Sequence, residues 1–316
     1  MFRYSAYGLE LVSDMPLPEL DRIVALREEA AASVSVQLQP TDHHDLAPRL
    51  TLRSMLPDGD ELALFGKVED GFLLRYRGFA DFIVDPSARK LRCVRVESGT
   101  AVQTLRHLLL DQVLPMVLNL LGRDVLHATA VDTPGGVCAF IGPAGAGKST
   151  LAASFAAMGY PIFCDDCLVV GCKPEILCTP GYPGVRLWSD SASALGKHLS
   201  KQGEVAGYTS KFRLTSPNGQ FPKNPRPLAA IYRISRAADA ELTDPCIEPL
   251  TGRAAFVELV YSSYVLDVTE PATLRRHFRG IEQLVAQVPI ARVLLPNHFD
   301  LLPAARTAIL NDLTQN

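Results

Sequence analysis

Residues 142–150 read GPAGAGKST, and two adjacent acids, Asp165 and Asp166, follow one short segment later. The first stretch fills every fixed position of G-x-x-x-x-G-K-[ST], the pattern of a loop whose backbone N–H groups wrap around phosphate oxygens. Such wrapping needs conformations and close approaches that only glycine adopts without strain. Gly142, Gly145 and Gly147 supply them, with the small residues Ala144 and Ala146 between. Lys148 occupies the position that reaches the β- and γ-phosphates, and Ser149 the position whose hydroxyl ligates Mg²⁺. Thr150 completes the loop.

The flanks agree with that reading. GVCAFI (Gly136–Ile141) is a short apolar run suited to a buried strand, and residues 148–158 are Ala-rich and helical. The loop therefore joins a strand to a helix N-terminus, whose orphan N–H groups and dipole favour phosphate. Residues 161–164 form the next strand, which puts Asp165 and Asp166 at its C-terminal end, where ligands bind in open α/β sheets. Adjacent strand residues point to opposite sides. Both carboxylates can face one nucleotide only if the chain turns there, one then holding Mg²⁺ with Ser149 and the other taking a proton from an acceptor hydroxyl.

Phosphoryl transfer also needs cations for the charge of the transition state. Arg186, Lys211 and Arg213 are the candidates; they lie in residues 179–227, a Gly-, Pro-, Ser- and Lys-rich stretch that reads as active-site loops. For Lys211 and Arg213 a solvated loop position is the competing reading. Trp188, the single tryptophan, reads as a core residue before a substrate contact. His127 sits among apolar residues in LHATAV, the pattern of a satisfied core histidine.

The chain has 316 residues, enough for two domains with separate cores. A net charge of −3 gives no general drive toward nucleic acid or an anionic membrane. The first residues show no signal peptide, and residues 108–121, the longest apolar stretch, are broken by Asp111 and Pro115 and too short to span a bilayer. Seven cysteines, an odd number, suit reduced thiols and a cytoplasmic location. Cys164-Asp-Asp-Cys167, with Cys172 and Cys178 nearby, raises a zinc site or redox pair, but no second C-x-x-C follows and small core residues explain the cluster as well.

Short alternating runs fill residues 1–98: 34–38, 50–52, 61–68, 71–76, 79–84 and 90–96, with turns at 57–59 and 85–87 and a helix over 20–32. This predicts a small β-rich α+β N-terminal domain. Residues 99–123 form a connecting helical segment with Pro115 as kink or boundary. From 124 to 316 the pattern becomes strand, loop, helix, strand: 125–131, 136–141, the Lys148 helix and 161–164, then a buried strand at 228–234. Residues 256–266 are mixed, and 270–288 read as a helix whose Arg275, Arg276, His277 and Arg279 form a solvated face.

His127, GPAGAGKST and the strand-borne Asp165-Asp166 resemble the catalytic core of HPr kinase/phosphorylase. The resemblance implies an α/β phosphate-loop kinase domain akin to phosphoenolpyruvate carboxykinase, with Mg-ATP at the loop. It also implies an Asp pair dividing metal binding and base work, with His127 in their proton network. PGYPGVRLW (180–188), Lys211-Phe212-Arg213 and the opening YSAYGLELVSDMPLPEL resemble a divergent HPr-kinase-like branch that includes lasso-peptide precursor kinases. That branch implies a serine on a peptide or protein as acceptor, and leaves room for a homo-oligomer. Thr150 stands where HPr kinases usually carry Glu, and their second signature is represented only by Arg186, so phosphorylase activity and HPr as substrate are not implied. A small-metabolite kinase and a nucleotide-binding regulatory ATPase module are the alternatives.

Overall fold

The computed structural model describes residues 1–20, 33–39, 48–55, 61–97, 99–172, 174–195, 199–216, 221–236, 244–295 and 298–315, with backbone only at 50–55 and 172. Among the described residues the fold is mixed α/β with three sheets. The helix expected at 20–32 and the turn at 57–59 lie almost wholly outside the described residues. The chain divides into two compact units: residues 1–123 with 205–209 and 264–275, and residues 124–204 with 210–263 and 276–316. No described helix is long and apolar enough to cross a membrane.

The first unit is built on an eight-stranded sheet. Its strands are β1 (Phe2–Ala6), β2 (Leu9–Ser13), β3 (Ser33–Gln39), β4 (Arg49–Met55), β5 (Glu61–Val68), β6 (Gly71–Tyr76), β7 (Ala80–Val84) and β8 (Lys90–Arg95), in the order β1-β2-β3-β8-β7-β6-β5-β4. From β8 to β4 it is an antiparallel meander, whereas β3 runs parallel to both its neighbours. The opening hairpin β1–β2 went unread in the sequence, because Tyr7-Gly8 is not a familiar turn dipeptide; both residues adopt positive φ (56° and 68°), as a two-residue hairpin turn requires.

Residues 102–120 form one helical rod in three parts: α1 (Val102–His107), a π-helical segment (Leu108–Val113) and α2 (Leu114–Leu120). Pro115 explains the middle part. Its ring clashes with the carbonyl four residues back and it has no N–H to donate, so the preceding turn widens to i→i+5 bonding. Gly122 (φ 87°) then ends the rod.

The second unit centres on β11 (Gly136–Ile141). Its partners are β10 (Thr129–Thr133), antiparallel, and β18 (Arg226–Arg236), parallel. Beyond β10 lies β12 (Ile162–Cys164). Beyond β18 lie β20 (Ile290–Leu295), parallel to it, and β19 (Cys246–Pro249). The start of β18 also pairs with β14 (Ile176–Thr179), which leads to β13 (Leu168–Cys172) and β9 (Asp124–Leu126). Both faces of this sheet are covered. Cys138 and Phe140 of β11 pack with Leu151 and Phe155 of α3 (Lys148–Ala156) and Ile309 of α7 (Leu302–Gln315). Val137, Ala139 and Ile141 pack with Leu259 of α5 (Gly252–Tyr261) and Ile281 and Leu284 of α6 (Pro271–Gln287). A strand buried on both sides carries an unbroken apolar run, which is why GVCAFI shows no alternation.

Three expectations need correction. The strand read at 125–131 is two strands, broken at His127: the Ala128 N–H bonds back to Leu126 O (3.0 Å), and the His127 N–H is taken by Ser262 O (2.5 Å). Residues 179–227 are not chiefly loop. They hold β15 (Val185–Leu187), the short helix α4 (Ser189–Leu195), β16 (Ser200–Ala206) and β17 (Thr209–Thr215), with the strands in a three-stranded sheet ordered β15-β17-β16. The stretch read as mixed at 256–266 is mixed, helical to Tyr261 at the end of α5 and irregular beyond it. On α6, Arg275 and Arg279 are exposed as expected, but His277 is 5% exposed and Arg276 turns toward Asp124.

Asp124 is the cost of that arrangement. Its Oδ1 is buried without a hydrogen-bond partner among the described residues, and burial, only partly opposed by Arg276, pushes its carboxyl up to about 6. A raised folded-state value means that folding favours the protonated form: this contribution is intact below about pH 4 and is lost as pH rises through about 6. Asp124→Asn is therefore expected to be more stable than the wild type at pH 8, by about 1–2 kcal/mol, with the difference vanishing near pH 4. Urea midpoints across that pH range provide the measurement, and a pH-independent difference would show that Asp124 does not titrate this way.

Candidate functional site

The turn between β11 and α3 is the glycine loop. Gly142, Gly145 and Gly147 have φ of 137°, 79° and 104°, the region closed to other residues without strain. Gly142 is doubly constrained, because a Cβ there would lie 2.7 Å from Ile234 O of the neighbouring strand. Gly147 caps α3 with no side-chain bond, which leaves the first-turn N–H groups of the helix directed at the loop. Ala144 is exposed and Ala146 buried. Lys148, 5% exposed, donates from Nζ to Gly142 O (2.9 Å) and Pro143 O (3.3 Å). Burial lowers its ammonium; Asp166 and Asp165 oppose the shift, and Lys211 adds to it.

Asp165 and Asp166 lie just past the end of β12, and the chain turns there. Asp166 adopts φ 60°, a left-handed conformation that Asp tolerates better than most residues. The turn brings the two carboxylates together instead of sending them to opposite faces. Asp165 is 4% exposed. Its Oδ1 accepts from Ser149 Oγ (2.8 Å) and Thr129 Oγ1 (2.7 Å), and its Oδ2 from the Arg186 backbone N–H (2.8 Å) and Nε (3.0 Å). Asp166 lies 3.4 Å from His127 Nε2 and 3.5 Å from an Arg186 guanidinium nitrogen. Burial alone would raise the Asp166 carboxyl, but Arg186, then His127 and Lys211, hold it well below the usual carboxylate range. His127 is half-buried at the break between β9 and β10, rather than a satisfied core residue.

The cations come from the small sheet. In β15 and β17, Arg186 is the cross-strand partner of Arg213, and Lys211 lies two residues from Arg213. The intervening pairs, Val185 with Leu214 and Leu187 with Phe212, belong to the core cluster that contains Leu151 and Phe155. The alternation thus places Arg186, Lys211 and Arg213 on one face and the apolar residues on the other. Arg186 is 4% exposed and bonds through Nη1 to Tyr182 Oη (2.8 Å). Lys211 Nζ lies 5.1 Å from the centre of the Trp188 ring, and Arg213 Cζ 5.2 Å from that of Tyr182. Trp188 is 47% exposed, which corrects its reading as a core residue.

Sequence reasoning missed a cavity of about 270 Å³ beside the loop. Ala146, Gly147 and Thr150 form one wall, and Asp190, Arg236 and Phe299 contribute to the others. Thr150 also reaches α4, donating to Ser191 Oγ (3.2 Å). These residues come from four separate segments without a shared motif, so no local signal could have gathered them. Cys164, Cys167 and Cys178 are buried thiols outside any disulfide, and burial pushes the Cys164 thiol well up.

The donor set suits a hard cation. Ser149 Oγ and Asp165 Oδ1 are 2.8 Å apart, and neighbouring oxygens of a Mg²⁺ octahedron with bonds of about 2.1 Å stand about 3 Å apart. Among the described residues no group of three or more His, Cys, Asp and Glu side chains is arranged to hold a metal. Mg²⁺ needs no such group, since it takes one or two protein oxygens and fills its remaining positions with phosphate and water.

The structure of the HPr(Ser) kinase/phosphatase from Coxiella burnetii resembles the chain at a TM-score of 0.33 and 10% identity, over 60% of this chain and 97% of that one. No family model and no curated protein matches it. At that TM-score the likeness carries no weight, and the chemistry rests on the side chains themselves.

Trp188 offers a direct readout of the site, being the only tryptophan and in contact with Lys211. Titrating Mg-ATP into the protein is expected to change its fluorescence, and Lys148→Ala to abolish the response. Unchanged emission at nucleotide concentrations that saturate binding would show that the cations of β17 do not sense the loop.

Proposed function

We propose that the protein is an ATP-dependent phosphotransferase that phosphorylates a hydroxyl, with a serine of a peptide or protein as the first acceptor class. The observation that supports this reading is the difference in the surroundings of the two acids. Asp165 is bonded to the loop serine, while Asp166, turned by its left-handed backbone, faces His127. A switch or simple nucleotide sensor has no need of the second carboxylate and its histidine.

In this reading the loop N–H groups and Lys148 hold the triphosphate, and the nucleoside lies toward the cavity bounded by Thr150, Arg236 and Phe299. Ser149 and Asp165 would hold Mg²⁺, which when bound neutralises charge on the β- and γ-phosphates. Asp166, kept ionised by Arg186 and His127, accepts a hydrogen bond from the acceptor hydroxyl and orients it in line with the γ-phosphorus. The acceptor oxygen forms the new P–O bond. The bond from the γ-phosphorus to the β,γ-bridging oxygen breaks, its electron pair leaves with ADP, and the hydroxyl proton passes to Asp166, with His127 placed to share it. Arg213 and Lys211 supply positive charge to the phosphoryl oxygens as the transition state forms.

The resemblance to lasso-peptide precursor kinases makes a ribosomal precursor peptide the first acceptor to test, by mass shift after incubation with Mg-ATP. Asp166→Asn is expected to lower transfer about 10²–10⁴-fold while leaving Mg-ATP affinity near wild type. Asp165→Asn should lower both transfer and Mg²⁺-dependent nucleotide affinity. Wild-type turnover in both variants would overturn the proposal.

A further inference from the structure

Two guanidinium groups converge on Tyr182. It is 3% exposed. Its hydroxyl accepts from Arg186 Nη1 at 2.8 Å, and its ring centre lies 6.0 Å from Arg186 Cζ and 5.2 Å from Arg213 Cζ. Arg186 and Arg213 are direct cross-strand partners, and like charges in such pairs repel. Arg186 is neutralised by Asp165 and Asp166. The negative face of an aromatic ring attracts a cation set over it, so the Tyr182 ring draws Arg213 toward its partner against that repulsion. The same device recurs one step along β17, where Lys211 lies over Trp188. The segment from Tyr182 to Trp188 thus supplies an aromatic seat for each of the two β17 cations.

We infer that Tyr182 is a positioning residue that fixes Arg213 beside Arg186, so that the Arg213 guanidinium meets the charge that develops on the transferring phosphoryl group. The inference rests on the phosphotransferase reading. A positioning role of this kind acts on transition-state charge and leaves ground-state nucleotide binding alone.

The test uses the whole protein and two probes, Mg-ADP and Mg-ADP with aluminium fluoride, which mimics the planar phosphoryl group. Tyr182→Leu and Arg213→Ala are each expected to weaken the fluoride complex about tenfold or more, with Mg-ADP affinity changed less than about twofold. Because both act through one guanidinium, the double variant should be no worse than the poorer single one. Tyr182→Phe, which keeps the ring that seats Arg213, should leave the fluoride complex within about twofold of the wild type. If Tyr182→Leu does not fold, Tyr182→Phe decides, because a tenfold loss there would move the role from the ring to the hydroxyl. Equal losses for both probes, multiplied losses in the double variant, or a tenfold loss of the fluoride complex in Tyr182→Phe would each overturn the inference. Failure of the parent reading looks different: the wild-type protein would then bind the fluoride complex no more tightly than Mg-ADP, and both proposals would fall.

Discussion

The carboxylate of Asp165 ties three separate parts of the fold to one point. Ser149 reaches it from the first turn of α3, Thr129 from β10, and Arg186 from β15 by both backbone and side chain. A carboxylate this deeply buried is tolerable only because donors occupy both oxygens. Removing one donor leaves a buried charge short of a partner, while removing the carboxylate leaves Arg186 buried with reduced compensation. The glycine loop, the acid turn and the small cationic sheet therefore hold their relative positions through one ion rather than through apolar packing alone.

The electrostatics follow from that tie. Arg186 lies against both acids, so it can neutralise Asp166 while anchored to Asp165. Lys211 acts on both Asp166 and Lys148. Charges of both signs are thus packed at one end of the β11–β12 region, and together they act on the ionisation of Lys148 and Asp166. Such shifts are common at sites that handle charge.

Much of this was legible from local sequence, because local chemistry dictated it. The loop glycines at positive φ, the strand before them and the helix after them follow from the residues alone, as do most strands of the first unit, whose alternation matches half-buried pleats. What stayed hidden depended on partners distant in the chain. The break at His127 is set by Ser262, which takes its N–H. The Gly- and Pro-rich composition of 179–227 suggested loops, but the short strands there are stabilised by packing Val185, Leu187, Phe212 and Leu214 on the main core, and composition does not register such packing. Trp188 was misread for the same reason: an isolated large aromatic reads as core until its neighbours are known. The acid pair was recognisable as a candidate, whereas its convergence depended on a single backbone angle.

That angle limits how this site can change. At Asp166 the residue that makes the left-handed turn is also the residue that bears the charge. Few side chains suit such a backbone: glycine freely, and Asn or Asp because a short polar group can bond locally. Drift at this position therefore favours those three residue types, only one of them ionisable. A β-branched replacement would strain the corner on which Asp165 depends, so new chemistry at 166 comes at a cost to the placement of 165.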